Sequence, residues 1–331
     1  MATETQPEDW TDRETMGPGI GSDGVDLEQL LIATSRTFAL AIPLLPEPTR
    51  REVTISYLLF RIADTFEDAA SWPRTLRIEA LERFGRLLER HEPEETAAVA
   101  RFWAAEVPCE QTAYRDLLTA TPEVLDAFFA LTPEATGLIR RHTQRTAHGM
   151  AGFVARTTDD GEDGELRLRD VPDLQDYCYV VAGIVGELLT ELTLLAQPAL
   201  APVASYLRQR SRTFGEGLQL VNILKDSASD ATQGRRYLPE GADRAAILAL
   251  ARNDLYTAAE YVLALQRAGA ERGLVAFNAL PVHLAYATLD RLETAGPGSK
   301  LTRPEVFSIV QRLHRALDHD EPAIRLPERA V

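Results

Sequence analysis

Apolar side chains recur every three or four residues along most of the chain from Val25 onward, which is the pattern of amphipathic helices. The first stripe begins at Leu27 and ends near Pro43 and Pro46. Several later stripes begin at a proline, which favours the first turn of a helix. The predicted helices are 48–68, 73–90, 121–131, 133–156, 172–196, 202–230, 244–272, 275–294 and 303–317.

This pattern predicts one all-α domain of long helices over residues 25–331, because strand-like alternation and internal repeats are both absent from the sequence. Residues 1–24 are polar and rich in Gly and Pro, so we expect a disordered leader. They contain a GxGxxG match, but a polar segment precedes it where a dinucleotide site needs a strand. The charged stretch 157–165 is predicted to be a loop.

The composition is that of a globular protein, with 45% hydrophobic and 26% charged residues. A net charge of -15 argues against a nucleic-acid partner. Arg208, Arg210 and Arg212 form the main basic stretch, which we interpret as the solvated face of a helix. An acidic protein that binds a phosphorylated ligand must offset the repulsion with local Arg and Lys or with bound cations.

The sequence also bears on the cellular compartment. Cys109 and Cys178 lack CxxC or zinc spacing, so reduced thiols in a cytoplasmic protein are the simpler expectation, although the sequence leaves a disulfide open. The N-terminus has no basic, apolar signal sequence. The longest apolar segment, 180–189, is interrupted by Glu187, so no transmembrane segment is expected.

The predicted helix 48–68 ends in a cluster of carboxylates. Asp64, Glu67 and Asp68 lie three and four positions apart and therefore share one face. Their lead-in, residues 57–63, is largely apolar, which predicts burial. Uncompensated buried carboxylates cost several kcal/mol each, so a cation is expected nearby.

The predicted helix 202–230 carries a matching polar stripe. Gln219, Asn222, Asp226 and Asp230 follow one another at spacings of three, four and four, and apolar residues occupy the other faces. Helix bundles present metal ligands inward in this way, and Mg²⁺ is held by one or two carboxylates together with phosphates and water. Either element alone would also suit a solvated acidic face, but the two together predict a magnesium site that grips a diphosphate.

His142 and His148 are six positions apart on one predicted helix and do not share a face. We interpret them as surface or core histidines rather than ligands.

Four sequence motifs occur together in the chain. They are Ser35-Arg36-Thr37-Phe38, Tyr57-x-x-x-Arg61-x-x-Asp64-Thr-Phe-Glu-Asp68, Tyr177-Cys-Tyr-x-Val-Ala-Gly183-x-Val-Gly186, and Gln219-x-x-Asn222-Ile-x-x-Asp226-x-x-x-Asp230 followed by Gly234-Arg235. In this order the set resembles the squalene/phytoene synthase family over residues 27–317. The Asp-Thr-Phe-Glu-Asp form and the segments 281–289 and 300–303 are more similar to the squalene synthase branch than to the phytoene branch.

The resemblance implies an isoprenoid synthase-type helical bundle with a central cavity. It implies magnesium ligands at Asp64, Asp68, Asn222, Asp226 and Asp230, with Glu67 an additional candidate. It implies substrate-binding roles for Arg36, Phe38, Tyr57, Arg61, Gln219, Lys225 and Arg235. Tyr177 matches a tyrosine that carries a proton or stabilises a cation, and the four aspartates are catalytic with it.

Two positions depart from the family pattern. Lys225 stands where the family usually has Arg, so the charge is kept while bidentate geometry is lost. Ser229 stands where a Glu is frequent, which removes one carboxylate from the second motif. The first motif is therefore expected to be the stronger half of the site.

The reaction that the resemblance implies joins two farnesyl diphosphates head to head through presqualene diphosphate and then reduces the product to squalene with NADPH, as in sterol or hopanoid biosynthesis. The alternatives are an enzyme that stops at presqualene diphosphate, one that makes a phytoene- or dehydrosqualene-type product without NADPH, and a non-catalytic isoprenoid-binding protein. The sequence has no recognisable NADPH motif. Membrane contact is expected to be peripheral, and the oligomeric state is not predicted.

Overall fold

The computed structural model describes residues 25–35, 37–109, 111–157, 166–232 and 235–326, and these form an all-α fold, as predicted. The helices are α1 (Leu27–Thr34), α2 (Phe38–Ala41), α3 (Thr49–Asp68), α4 (Arg74–Leu87), α5 (Pro93–Glu106), α6 (Thr112–Thr119), α7 (Thr121–Phe129), α8 (Pro133–Val154), α9 (Val171–Cys178), α10 (Ile184–Ala196), α11 (Ala204–Thr232), α12 (Arg244–Arg267), α13 (Arg272–Ala295) and α14 (Arg303–Asp318). Two short parallel strands, β1 (Leu166–Arg167) and β2 (Arg235–Arg236), pair with each other.

Most predicted helices are present with shifted ends. The predicted helix 244–272 ends earlier, at Arg267, because Gly269 adopts a positive φ of 74° that terminates it. Helices α5 and α6 were not predicted. The expected leader 1–24 lies outside the described residues, as does the expected loop apart from Thr157.

Helix α3 lies at the centre of the bundle. Ile55, Leu58 and Ile62 on this helix are completely buried, and it packs against α4, α7 and α8. Near its C-terminal end, the ring of Phe66 packs against Phe84 of α4 and Trp103 of α5, with centroid distances of 6.3 and 4.6 Å. Burying these large side chains holds the end of α3, and the acidic motif on it, in place.

The predicted helix 172–196 is divided by a π-helical turn at Tyr179–Gly183 between α9 and α10. The hydroxyl of Thr146 on α8 donates a hydrogen bond of 3.0 Å to the carbonyl of Val180 in this turn. Just after the turn, α10 lies very close to α11, because a Cβ on Gly186 of α10 would meet the carbonyl oxygen of Ser211 at 2.1 Å. Glycine is therefore required at this helix crossing.

By length and composition, the run Val171–Ala196 is apolar enough to cross a membrane, and it is the one such helix in the described ranges. Glu187 interrupts the run, but one helix of this kind does not establish a span, so the expectation of no transmembrane segment stays a prediction. Buried core helices pass the same test. Here the run packs against α8 and α11.

The structure also shows the state of the two cysteines, of two histidines and of the basic stretch. Cys109 and Cys178 are both free, which excludes the disulfide that the sequence left open. His142 is buried with Nδ1 2.9 Å from a backbone carbonyl, whereas His148 is exposed. The arginines of the basic stretch form ion pairs within the chain: Arg208 with Glu191, Arg210 with Glu260 and Arg212 with Glu216.

Candidate functional site

A cavity of about 730 Å³ lies between the C-terminal parts of α3 and α11. Both acidic motifs open into it. Of the residues predicted for the site, those that line the cavity are Phe38, Arg61, Asp64, Glu67, Asp68, Tyr177, Gln219, Asn222, Lys225, Asp226, Asp230 and Arg235. Arg36 lies outside the described residues, and Tyr57 lines an adjoining space.

That adjoining space is an apolar chamber of about 190 Å³. It shares Asp64, Gln219 and Asn222 with the polar cavity, so the two are continuous. Its walls come mainly from apolar side chains, including Val53, Phe60, Val185, Leu188, Leu189, Phe214, Phe277 and Pro281. At its entrance the rings of Phe38 and Tyr57 pack with centroids 5.7 Å apart. The whole site is therefore polar at one end and apolar at the other.

Asp64 on α3 is paired with an arginine one turn before it. Arg61 Nη1 lies 3.1 Å from Asp64 Oδ2, and Arg61 Nε donates a hydrogen bond of 3.3 Å to the hydroxyl of Tyr57. That hydroxyl donates in turn to the carbonyl of Thr34 at 2.7 Å. The guanidinium also lies near the ring of Tyr114, 5.9 Å from its centroid. Arg61 is thus held from several sides, with its charge beside the first aspartate.

Arg235 connects the two acidic motifs. Its guanidinium donates to Asp68 of α3, and its Nη2 lies 3.9 Å from Asp230 Oδ1 of α11. Strand β2 carries Arg235, and its pairing with β1 fixes the backbone there. One cation therefore bridges both predicted metal-binding elements.

The positive charge of Lys225 offsets part of the negative charge of the second acidic motif, which lies on the same helix. Its Nζ lies 3.1 Å from Asp226 Oδ2 and donates to Asn222 Oδ1 at 3.4 Å. Ser229 uses its hydroxyl to donate to the backbone carbonyl of Asp226, at 2.8 Å. Ser229 therefore adds no carboxylate to the second motif.

Burial changes the electrostatics of the carboxylates. It raises the pKa of Asp64 to about 6 and that of Asp230 to about 6, and neighbouring carboxylates add to both increases while arginines oppose them. Burial together with Asp68 raises the pKa of Glu67 to about 8. A partly desolvated cluster of this kind favours cations, because they lower the cost of ionising each carboxylate.

The donor set is suited to a hard cation. In the described part of the chain no three His, Cys, Asp or Glu side chains converge closely enough to hold a metal by themselves. The carboxylate and amide oxygens are instead spread over two facing helices. Mg²⁺ suits this arrangement because it normally completes its shell with phosphate oxygens and water.

Tyr177 of α9 is fixed at the wall of the cavity. Its side chain is 3% exposed, and its hydroxyl donates to Glu67 Oε1 at 3.3 Å. The ring of Phe153 meets it edge-on with centroids 5.1 Å apart. The tyrosine that the sequence singled out is therefore in contact with the acidic motif of α3.

Three residues of the site were not predicted from the sequence. Tyr114 lies on α6, a helix that was itself missed. Tyr237 follows Arg235 by two positions and stacks on Tyr177. Arg77 of α4 is buried and donates to the backbone carbonyls of Phe66 and Glu67, so it caps the last turn of α3.

Of these three, Arg77 left a trace in the sequence. It lies on the apolar face of α4, three and four positions before Ala80 and Leu81. A single charged residue on a buried apolar face needs a hydrogen-bonding or charged partner that is buried with it.

Taken together, these features define a class of protein: an α-helical bundle whose two acidic helices face each other across a polar cavity that leads into an apolar chamber. The model of the squalene/phytoene synthase family matches residues 31–242, which is more than half of the chain. The chain belongs to the squalene/phytoene synthase family, and the resemblance seen in the sequence is confirmed.

Individual relatives agree with this assignment. Squalene synthase ERG9 of Saccharomyces cerevisiae is 32% identical over 213 residues, covering 64% of this chain and 44% of the relative. The squalene synthase of Eremothecium gossypii is 29% identical over 215 residues, covering 64% and 45%. The chain thus spans a little under half the length of these curated relatives.

Two solved structures resemble the fold over a larger share of this chain. Two structures of TcSQS in complex with ligands have TM-scores of 0.71 and 0.72 and are 26% and 25% identical in sequence. The first alignment covers 86% of this chain and 84% of the other, and the second covers 88% of each. The similarity therefore extends well beyond the region matched by the family model.

Proposed function

We propose that this protein is a prenyltransferase of the squalene synthase type. It joins two farnesyl diphosphates head to head through presqualene diphosphate, with Mg²⁺, and reduces the product to squalene with NADPH. One observation carries the proposal: the acidic motifs of α3 and α11 face each other across one cavity that continues into an apolar chamber. An isoprenoid diphosphate has the same division into a charged head and an apolar chain.

The diphosphate would lie at the polar end of the site. Arg61, Lys225 and Arg235 pair with aspartates there, and their positive charges would attract the diphosphate oxygens. The residues that would hold Mg²⁺ are Asp64, Asp68, Asn222, Asp226 and Asp230, with Glu67 behind them. Bound Mg²⁺ would supply further neutralisation of the negative charge that develops on the departing diphosphate.

The allylic cation that remains must be kept from water. The apolar chamber provides walls without nucleophiles for most of its length. Aromatic faces stabilise a cation by about 0.5–2 kcal/mol each, and Phe38, Tyr57 and Tyr177 are placed along the path from the polar end to the apolar end. The hydroxyl of Tyr177, beside Glu67, can hold a proton at the cavity wall.

NADPH belongs to the proposal through the family resemblance. The strands of the described residues are two residues long, so these residues do not form a Rossmann-type dinucleotide site.

A product assay tests the proposal. Purified protein is incubated with farnesyl diphosphate and Mg²⁺, with and without NADPH, and the products are identified by mass spectrometry. We expect squalene only with NADPH. Presqualene diphosphate under both conditions would reject the reductive step. Dehydrosqualene, or phytoene in a parallel incubation with geranylgeranyl diphosphate, would assign the alternative branch. No turnover of either diphosphate would indicate a binding protein.

Asp64→Ala is the matched control for this assay. It removes a predicted metal ligand, and we expect turnover to fall by about 10²- to 10³-fold, since part of the neutralisation of the leaving group is lost. Helical circular dichroism should be unchanged, because the side chain is partly exposed at the cavity and outside the packed core of α3. Activity like that of the wild type would contradict the metal assignment.

A further inference from the structure

Tyr237 is a cavity residue to which the proposed reaction has so far given no part. It lies two positions after Arg235 and is 8% exposed, and its ring stacks on that of Tyr177 with centroids 4.8 Å apart and an interplanar angle of 25°. Both tyrosines line the same cavity. Tyr237 therefore packs on the ring of the tyrosine that the proposed reaction uses.

The surroundings of Tyr177 show why a second contact matters. Phe153 meets one part of its ring edge-on, and Glu67 accepts a hydrogen bond of 3.3 Å from its hydroxyl. A tyrosine hydroxyl can rotate about its C–O bond, so one long hydrogen bond does not determine its direction well. The stacked ring of Tyr237 restrains the ring plane of Tyr177, and the Tyr237 hydroxyl is a second candidate partner for the Tyr177 hydroxyl at the same cavity wall.

The backbone explains how Tyr237 comes to lie there. Side chains alternate across a strand, so Arg235 and Tyr237 project to the same side of the chain that leaves β2. The pairing of β2 with β1 thereby brings a diphosphate-binding candidate and a second tyrosine to the same wall of the cavity.

We propose that Tyr237 is a positioning residue that fixes the ring plane of Tyr177 through the stack and the direction of the Tyr177 hydroxyl through a hydrogen bond between the two hydroxyls. The inference rests on the proposed function, because it concerns how Tyr177 serves that reaction. Tyr237 acts through Tyr177. Two parts of its role can be separated: the stacked ring, which phenylalanine retains, and the hydroxyl, which phenylalanine lacks.

The kinetic test uses Tyr237→Phe with farnesyl diphosphate and Mg²⁺. We expect kcat to fall roughly 10- to 100-fold, because a misdirected catalytic group reacts less often. KM for farnesyl diphosphate should stay within about twofold, since the diphosphate contacts are untouched. Tyr237→Leu removes the stack as well and should lower kcat further.

The double variant Tyr177→Phe/Tyr237→Phe tests whether Tyr237 acts through Tyr177. If it does, the double variant is as slow as Tyr177→Phe alone, because nothing remains to be positioned. Losses that multiply would show that Tyr237 acts on the substrate independently, and would overturn the inference.

Tyr261→Phe is the matched control. Tyr261 is also buried, and its hydroxyl shares a hydrogen bond of 3.0 Å with Thr190, but it lines neither the polar cavity nor the apolar chamber. Removing the Tyr261 hydroxyl should leave kcat within about twofold of the wild-type value. The control therefore separates the effect on kcat of removing any buried tyrosine hydroxyl from the effect of removing the Tyr237 hydroxyl.

A substrate-free measurement separates this inference from the proposed function. The Tm losses of Tyr177→Phe and Tyr237→Phe should not add in the double variant if the two hydroxyls share a hydrogen bond. An inactive wild type would overturn the proposed function, and the positioning role of Tyr237 in that reaction would fall with it. An active wild type with an unchanged Tyr237→Phe, or Tm losses that add, would overturn the inference alone.

Discussion

Asp254 of α12 is a partly buried carboxylate outside the candidate site. It approaches α11 closely because Gly217 has no side chain there, and a Cβ on that glycine would lie 2.8 Å from the Cβ of Asp254. Burial, with the charge of Glu216 adding to it, raises the pKa of Asp254 to about 7. Glu216 differs in having Arg212 as a partner at 2.6 Å. Asp254 should therefore control part of the pH dependence of stability.

We expect Asp254→Asn to stabilise the protein at high pH. A folded pKa raised above the unfolded value means that the carboxyl contributes most to stability when protonated, and that this contribution is lost as pH rises from about 4 through about 7. At pH 8 the variant should be more stable than the wild type by about 1–3 kcal/mol, and near pH 4 the two should be equal. Urea unfolding at both pH values measures this difference, and an equal difference at the two values would contradict it.

At the scale of elements, the close packing of the π turn and α10 on α11 supports the cavity wall. Gly186 faces the carbonyl of Ser211, and Gly215 faces the carbonyl of Ala182, each so closely that a Cβ would lie 2.1 Å from the oxygen. Neither carbonyl can give way as a flexible side chain would, because both belong to helical backbone. The two glycines therefore set the distance between the helices that line the site.

Gly186→Ala should destabilise the protein by about 1–3 kcal/mol, because the helices must move apart. Gly152→Ala on α8 is the matched control. No atom lies within 4 Å of its Cβ position, so alanine there should be neutral or stabilising by up to about 1 kcal/mol. Denaturant unfolding of both variants measures these changes, and equal stabilities would show that the crossing is looser than described.

For the whole molecule, charge is the main constraint on ligand binding. The chain has a net charge of -15, and its cavity collects carboxylates from two helices, yet the proposed substrate is an anion. Arg61, Lys225 and Arg235 offset part of this repulsion but are already paired with aspartates. Divalent cations must supply the rest if the proposed function is correct.

We therefore expect inorganic pyrophosphate to stabilise the protein only together with Mg²⁺. Ligand at about 100 times its Kd adds roughly 2.7 kcal/mol, which for a chain of this size raises Tm by a few degrees. Thermal unfolding with pyrophosphate and Mg²⁺, and with pyrophosphate and a chelator, measures the difference. The same increase in the presence of the chelator would contradict the requirement for a cation.

The sequence was sufficient to predict the features whose residues recur with the period of a helix. The spacing of Asp64 and Asp68, and that of Asn222, Asp226 and Asp230, placed each set on one face, and the all-α fold followed from the same periodicity. Partners from distant segments could not be predicted in this way. Arg77 and Tyr237 meet the site only through tertiary packing, as do the ion pairs of Arg235 with both motifs.

The π turn at Tyr179–Gly183 also sets the angular phase of the helix that contains it. Tyr177 and Gly186 are nine positions apart, which in an uninterrupted α-helix places them on opposite faces, about 180° apart. The wider turn takes up an extra residue and removes roughly 100° of that rotation. The same helical segment can therefore direct Tyr177 into the cavity and Gly186 against α11. Removing a single residue from the turn would rotate one of these two residues away from its contact, while the helix content would stay almost unchanged.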